Sequence, residues 1–451
     1  MKSIRLLVPA LVALAGTPAA LAQAYTADPV NPDEVRAIVS EMLNDAETRT
    51  SLLDSGGSAG HDEKGFYLAD DSGKFRLQIG GMNQFRYTLN FRTPAGPNDN
   101  ANALPNRGND DFESGFQTVR VKLWFLGNVV CPEMFYRVQG AFNRADPGDF
   151  RLEDAYVGYR WECGLAIQWG QFKEPFLHEE LVADSQQLAA DRSLTNSVYT
   201  QDRSQGIMGT FQQESFRVSG AFTDGFRSKN SQLGTVNNGG SFGFVAGGGE
   251  SDWAISSRAE FKFAGEWRQF DDFNSFPGSE FGAMLGVGGH VEQSANSIAA
   301  TVNGVATSGQ TTWGGYTADL SLKGDGWTFY LEGIGSHTNT PLQDLQTVSF
   351  DDYGMVAQFG MFVPGTNWEP FVRYDAVFQD PDRIATGSDT FSTVTVGTNY
   401  FFAGHAAQFT FDVQWFVDPS QGVVGANPSI GLLNNPSYSE WAVRFQFQLL
   451  F

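Results

Sequence analysis

Apolar and polar residues alternate along most of the chain, from about residue 74 to the last residue. The final segment, 441–451, reads WAVRFQFQLLF, with apolar side chains at every second position and mostly polar side chains between them. Because successive side chains of a β-strand point to opposite faces, this pattern predicts strands with one apolar and one polar face. The pattern therefore indicates an all-β structure for the greater part of the chain.

Sixteen segments carry this alternation, an even number, as single-chain bacterial barrels require. Their approximate spans are 74–92, 116–127, 134–143, 151–161, 165–172, 204–213, 215–223, 252–263, 281–292, 312–323, 327–337, 352–363, 368–379, 391–402, 407–418 and 439–451. Gaps after even segments are mostly short, whereas gaps after odd segments are mostly long and rich in Gly, Asn, Asp and Ser. A soluble β-sandwich has no reason to segregate loop lengths in this way. We therefore predict a transmembrane antiparallel 16-stranded β-barrel.

The last segment has a clear place in such a barrel. Its aromatic face would meet lipid, while Arg444, Gln446 and Gln448 would face the lumen. Pairing with the first segment would remove the free strand edges, which lipid cannot solvate. A final strand ending in Phe also resembles the signal that the bacterial outer-membrane assembly machinery reads.

Composition supports a barrel over a helical membrane protein. The chain has 51 Gly and 39 Phe, yet only 41% hydrophobic residues and a mean hydropathy of −0.26. After the N-terminus we find no run of about 18 apolar residues that would predict a transmembrane helix. Many aromatics with modest hydropathy suit strands of which only alternate residues meet lipid.

The first residues predict export. Lys2 and Arg5 form a positive segment, 6–14 is apolar, and Ala22-Gln23-Ala24 has the form of a cleavage site, so we predict a signal peptide over 1–24. We therefore expect the bacterial outer membrane as the location. The formal net charge of −22 disfavours a nucleic-acid partner, which needs a basic surface.

Residues 25–60 are predicted to form a separate periplasmic helix and linker, followed by the barrel over 61–451. Asn31-Pro32-Asp33-Glu34 is typical of a helix start, and apolar residues then recur at helical spacing up to Ala46. One helix cannot bury that stripe alone. Two alternatives stay open: the helix docks on its own chain, or it forms a short coiled coil between protomers.

The predicted lumen is wide enough for an aqueous channel, and its inward face carries more basic than acidic residues. In the whole chain, by contrast, acids outnumber bases by 51 to 29. Rings of Arg and Lys favour anions in pores, and the Arg fork suits phosphate. The alternative is that these cations pair with acids on neighbouring strands. The predicted pore-lining and anion-binding residues are Arg86, Arg120, Lys122, Arg137, Arg160, Lys173, Arg192, Arg203, Arg217, Arg258, Lys262, Arg373 and Arg444.

The long segment 173–203, after the fifth strand, needs a function because loops of this length are uncommon. We expect it to fold into the pore as a constriction, with capping of the outer mouth as the alternative. Its His178-Glu179-Glu180 cluster lacks the spacing of a known metal or catalytic site. We interpret that cluster as solvated or pore-lining.

Cys131 and Cys163 fall in predicted periplasmic turns after the second and fourth strands. Strand spacing alone puts these turns roughly 10 Å apart, and strand tilt and turn conformation could bring the two residues within disulfide reach. We predict a structural disulfide, with two free thiols as the alternative. The sequence shows no nucleophile constellation, Gly-rich phosphate loop or metal spacing, so we expect no enzyme activity, cofactor or metal.

Several stretches resemble the phosphate-selective porins of the O and P type. These are GKFRLQIGGMNQFRYTLNF, GFQTVRVKLWFLGNV, WGQFKEPF, DRSLTN and QDRSQGIM. The resemblance covers almost the whole chain after the predicted signal peptide. It implies a homotrimer of sixteen-strand barrels in outer-membrane lipid, with the long loop folded inward.

Two departures bear on the solute. Family members often have adjacent arginines in the second-strand motif, where this chain has Val119-Arg120, and the long loop carries many acids. We therefore expect a porin for passive diffusion of small hydrophilic solutes. One version of this expectation is a porin that prefers anions such as phosphate. The alternative to a porin is a structural or adhesive barrel with an occluded pore.

Overall fold

A computed structural model describes most of the chain from Gly57 onwards. The described residues are 57–62, 65–92, 112–142, 149–225, 228, 251–297, 301–302, 305–306, 309–341, 347–383, 389–418 and 440–451. The predicted signal peptide, the predicted helix and its proposed coiled coil all lie outside these residues.

The described residues form twenty strands. In chain order they are β1 (Gly57–Asp62), β2 (Gly65–Asp70), β3 (Arg76–Arg92), β4 (Phe112–Asn128), β5 (Met134–Phe142), β6 (Phe150–Arg160), β7 (Leu165–Lys173), β8 (Arg203–Gln212), β9 (Phe216–Thr223), β10 (Ser251–Ala264), β11 (Gly282–Ser297), β12 (Thr301–Val302), β13 (Val305–Ala306), β14 (Gln310–Gly324), β15 (Trp327–Pro341), β16 (Thr347–Met361), β17 (Trp368–Phe378), β18 (Thr390–Phe401), β19 (Ala407–Phe416) and β20 (Glu440–Leu450).

Sixteen of these strands close into one antiparallel barrel, which confirms the predicted fold. Strands β3–β11 and β14–β20 each pair with the next in order, while β12 and β13 form a small hairpin of their own. The last strand pairs with the first, with Trp441 opposite Phe91 and Phe447 opposite Phe85. Closure leaves no open edge along the paired length of these strands, as a spanning sheet requires.

The two faces of the wall differ as the alternation predicts. Outward aromatics stay exposed, as with Phe116, which is 71% exposed and stacks on Phe85 at a centroid distance of 5.6 Å. Inward side chains such as Gln446 and Gln448 are buried within the barrel. No helix in the described part of the chain is long and apolar enough to cross a membrane.

A hairpin of β1 and β2 extends the wall at the short-turn end. Strand β20 pairs with β3 only as far as Met82, and β2 pairs with the remaining stretch of β3, from Ile79 to Arg76. A Cβ on Gly65 would lie 2.5 Å from the carbonyl oxygen of Ile79, so a glycine is needed in this turn. Strand β1 overlaps the end of the predicted linker, residues 25–60.

Two connections fold into the lumen from opposite ends. The inward loop, residues 174–202 between β7 and β8, contains the helical segments His178–Leu181, Asp184–Gln186 and Leu194–Tyr199. The inward turn, residues 265–281 between β10 and β11, contains the 3-10 helix Trp267–Asp271. The two meet where the backbone N–H of Phe273 donates to the carbonyl oxygen of Gln186 at 3.0 Å.

Candidate functional site

The inward loop packs against one half of the barrel wall. Its apolar side chains join wall residues in three buried clusters, whose wall members come from β14 to β20. The loop members are Phe176, Leu177, Val182, Leu188, Ala189, Leu194, Val198 and Tyr199. Burial of apolar area holds the loop inside the lumen, so the expected inward path replaces the alternative of a cap on the outer mouth.

Inward-facing glycines of the wall make room for this loop, and we call Gly288, Gly315 and Gly354 the glycine cradle. A Cβ on Gly288 would lie 2.8 Å from the carbonyl oxygen of Phe176, and one on Gly354 would lie 2.6 Å from a ring carbon of Tyr199. Real side chains do not approach so closely. The absence of a side chain therefore sets how near the loop can lie to the wall.

Glu174 anchors the start of the loop. It is buried and accepts hydrogen bonds from the hydroxyls of Thr223, at 2.7 Å, and Ser256, while His290 lies 3.2 Å away. Burial would raise the pKa of Glu174, but the facing His290 and nearby hydroxyls lower it to about 2. The carboxylate is therefore charged at any ordinary pH.

The same cluster contains a Ser–His–Glu arrangement. The Ser256 hydroxyl and His290 Nδ1 are 2.7 Å apart, and His290 Nε2 lies 3.5 Å from the Glu292 carboxylate. All three residues are buried, and the hydroxyl donates to Glu174. Since a nucleophile must reach its substrate, we assign this cluster to anchoring the loop and not to catalysis.

The His178-Glu179-Glu180 cluster was interpreted as solvated or pore-lining, and the solvated alternative was wrong because all three residues are buried. Burial lowers the pKa of His178 to about 4, so its ring is neutral, and it packs against Phe273 and Tyr330. Glu179 accepts from the backbone N–H of Ser193 at 2.7 Å. Among the described residues no group of His, Cys, Asp and Glu is arranged to hold a metal ion.

Asp191 ties the tip of the loop to the barrel seam. Its carboxylate lies 2.6 Å from Arg86, 2.9 Å from Arg120 and 3.1 Å from Arg444. Burial would raise the pKa of Asp191, but the arginines lower it well below its usual range. One loop residue therefore contacts guanidinium groups from three adjacent strands.

A second tie joins the loop to β4 and β6. Lys122 Nζ lies 2.5 Å from Asp184 of the loop and 2.7 Å from Glu153 of the wall. Arg192 of the loop also contacts Asp184. The loop therefore crosses the lumen from the apolar half of the wall to the β4–β6 side.

Most of the predicted anion-binding cations are paired with acids. Beyond the contacts above, the pairs are Arg137–Asp154, Lys173–Glu180, Arg203–Asp154, Arg217–Glu260, Arg258–Asp319, Arg373–Glu179 and Arg444–Asp412. Lys262 donates to the carbonyl oxygen of Gly265 at 2.6 Å, and the Arg160 guanidinium lies over the Phe135 ring at 5.3 Å. The lumen therefore fits the alternative in which the cations pair with acids better than it fits rings of unpaired Arg and Lys.

Two features of the lumen, Glu153 and the inward turn, were not predicted from the sequence. Glu153 falls between inward positions in the simple alternation, but a register shift turns it to the lumen. Two adjacent acids within a strand, Glu153-Asp154, were the available signal, since strict alternation would send one of them to lipid. For the inward turn the signal was a gap of unusual length after an even strand.

Cys131 and Cys163 are free thiols in the structure, one half-buried and one exposed, so the predicted disulfide is not present. Strands β5 and β6 lie between the two turns. Their spacing alone is roughly 10 Å, beyond the Cα separation that a disulfide spans. Turn conformation does not close this gap.

Comparison with known proteins identifies the family. The family described as phosphate-selective porin O and P matches residues 86–416, well over half of the chain. An anion-selective porin from Comamonas acidovorans is 13% identical with a TM-score of 0.52, covering 83% of this chain and 99% of its own. The outer membrane channel DcaP of Acinetobacter baumannii is 12% identical with a TM-score of 0.51, covering 85% and 99%.

The two solved structures are only 13% and 12% identical to this chain, so they support the fold alone. No curated protein matched the sequence. The family match, together with a closed sixteen-strand barrel that holds an inward loop, defines an outer-membrane porin. The chain belongs to the phosphate-selective porin O and P family.

Proposed function

We propose that this porin passes small hydrophilic solutes by passive diffusion along the inner face of β5–β9, with a weak preference for anions. The observation that supports this proposal is that inward side chains on the two sides of the lumen differ in exposure. Inward residues of β6–β9, such as Arg160, Gln168, Thr210 and Ser219, keep part of their surface exposed. Inward residues of β14–β20 are covered by the loop and the inward turn.

Water-facing cations along this path support the anion preference. The Arg137 side chain is 34% exposed, Arg160 is exposed, and Arg217 keeps part of its side chain in water. Arg and Lys groups that face a pore favour anions. The preference is weak because Arg137 and Arg217 each lie beside a carboxylate.

The test is a planar bilayer measurement on the purified protein under a KCl gradient. We expect stepwise conductance and a small reversal potential directed towards chloride. A cation-directed potential would contradict the anion preference, and the absence of steps would contradict the open pore and favour an occluded structural barrel. Phosphate added to KCl tests the phosphate preference, because a solute with a site in the pore reduces chloride current.

Arg137→Gln should reduce the chloride preference without loosening the inward loop. This residue contacts wall groups, Asp154 and Gln139. Arg120 and Lys122, by contrast, hold Asp191 and Asp184 of the loop, so their removal would disturb the constriction itself. A reversal potential unchanged by Arg137→Gln would contradict the role given to this residue.

We also propose that the porin assembles as a homotrimer in outer-membrane lipid. The family resemblance supports this, as does an exposed aromatic surface beside the closing seam, where Phe116 packs on Phe85 and Tyr87. Apolar surface of this kind suits a contact with lipid or with another barrel. Mass measurement in mild detergent should give three copies, and a monomer there would contradict the proposal.

A further inference from the structure

Two adjacent acidic residues of β6 both face the lumen because the strand contains a β-bulge. Gln139 of β5 lies opposite Asp154, but the next residue, Gly140, lies opposite Leu152, so Glu153 is the extra residue. A bulge changes the direction of a side chain locally. A regular strand would send one of two neighbouring acids towards lipid.

Both carboxylates reach lumen groups. Glu153 lies 2.7 Å from Lys122 Nζ and accepts a hydrogen bond from Gln139 Nε2 at 2.7 Å. Asp154 accepts from Arg203 Nε at 2.7 Å. The bulge thus adds a second negative charge, that of Glu153 beside Asp154, to a patch of wall that would otherwise be more basic.

The pair also borders the open passage. Lys122 connects Glu153 to Asp184 of the inward loop, which places Glu153 where the loop meets the wall. Its side chain is 17% exposed, and Arg137 beside Asp154 is 34% exposed. Solutes that pass between the loop and the β5–β9 wall therefore travel beside these charges.

We propose that the bulge-borne pair Glu153 and Asp154 determines the charge selectivity of the pore by limiting its preference for anions. Lys122, Arg137 and Arg203 each lie within 4.0 Å of one of these carboxylates. Without the pair, Arg137 would keep no carboxylate among the contacts described above, and Lys122 would keep only Asp184. The inference rests on the proposed passive pore.

The test is Glu153→Gln in a planar bilayer under a KCl gradient. Glutamine keeps the size of the side chain and a hydrogen-bond acceptor for Gln139 but removes the charge. The chloride-to-potassium permeability ratio should rise by about threefold, the order expected for one unit charge facing water at a pore wall. The matched control is Glu162→Gln, an exposed carboxylate in the turn that follows β6, which should leave the ratio unchanged.

A second variant keeps the test sharp if the first disturbs folding. Removing one cation together with the acid, with Arg137→Gln and Glu153→Gln, restores the balance of charge and removes no contact with the inward loop, so the ratio should return towards that of the unmodified protein. Conducting Glu153→Gln channels with an unchanged reversal potential would overturn the inference and leave the porin intact. A double variant as anion-selective as Glu153→Gln would also overturn it. Failure of the unmodified protein to conduct would instead overturn the proposed function.

Discussion

Each buried arginine of the lumen lies beside at least one carboxylate. Arg444 has two carboxylates, Asp412 on the neighbouring strand at 2.6 Å and Asp191 of the loop at 3.1 Å. Taking a guanidinium out of water costs several kcal/mol unless it is paired and hydrogen-bonded. The loop can therefore lie against this basic wall only because it brings acids with it.

Asp191→Asn should loosen the inward loop. The substitution leaves three guanidinium groups with one partner fewer, and breaking a buried ion pair on one side costs about 3–5 kcal/mol. Hydrogen–deuterium exchange in 188–196 should become faster while the strands stay protected.

The control for this variant is Asp382→Asn, which removes an exposed carboxylate in the 3-10 helix after β17. It should leave exchange in the loop unchanged. If Asp191→Asn gave the same exchange as the unmodified protein, the ion pairs would not hold the loop.

The inward turn should be most stable in mildly acidic solution. The carboxylate of Asp272, in the inward turn, lies 2.7 Å from Nε2 of His405, which belongs to the turn between β18 and β19. Burial opposes both charges, but their attraction lowers the pKa of Asp272 and raises the pKa of His405. The contribution of Asp272 is present above its ordinary pKa of 3.8 and is lost as pH falls through its lowered value.

The contribution of His405 has the opposite sign. It is present below the ordinary pKa of 6.5 and is lost as pH rises through the raised value. The difference in amide protection of 265–281 between the unmodified protein and His405→Gln should therefore be largest between the two ordinary pKa values, 3.8 and 6.5, and should shrink as pH rises through the raised pKa of His405. A difference that grows with pH would contradict this pairing.

At the scale of elements, the wall is shaped to its inward loop. Strand periodicity sets which residues face inward, but the glycine cradle sets how closely helix Leu194–Tyr199 approaches β16. Short helices such as this one are not stable alone, so the contact with the wall stabilises it. Ser193 also caps the helix by accepting from the backbone N–H of Asn196 at 2.9 Å.

Gly354→Ala should displace this helix. The new methyl carbon would lie 2.6 Å from the Tyr199 ring and 2.7 Å from Thr195, and overpacking of this kind costs about 1–3 kcal/mol. Limited proteolysis of the folded barrel should cut the loop faster in this variant.

Gly333→Ala is the matched control, since a Cβ there meets nothing within 4 Å, although the residue lies on the adjacent strand opposite Met355. It should leave proteolysis of the loop unchanged. Equal cleavage rates in both variants would show that the cradle does not position the helix.

At the scale of the whole molecule, the barrel closes through its strand ladders and does not need the inward loop for closure. Backbone hydrogen bonds join all sixteen strands, whereas the loop contributes side-chain contacts within the lumen. The barrel and its constriction are therefore separable parts of the structure.

Replacing 177–199 by a short Gly-Ser linker should leave a folded barrel with a wider and more anion-selective pore. The change removes the apolar clusters of the loop and also Glu179, Asp184 and Asp191, which neutralise wall cations. Conductance in a planar bilayer should rise severalfold, with a larger chloride-directed reversal potential. A folded variant with unchanged conductance would show that the loop does not form the constriction.

Sequence alone determined the barrel, because its signals are local. Period-two alternation marks each strand and the contrast of short and long gaps marks the two ends, so the sixteen predicted spans all fall on barrel strands. The motifs quoted from the first strands and the long loop were the basis of the family resemblance. The inward path of the loop followed from its length and from the resemblance.

Only the tertiary structure decided the charge pattern of the lumen, because pairing depends on residues that are distant in sequence. Arg444 and Asp191 are 253 residues apart, and no local pattern links them. Glu153 turns inward through a register shift against β5, and His178 loses its contact with water because Phe273 of the inward turn packs on it. Sequence sets the faces of each strand, while the packing of loop, turn and wall decides which inward charges meet one another and which still meet water.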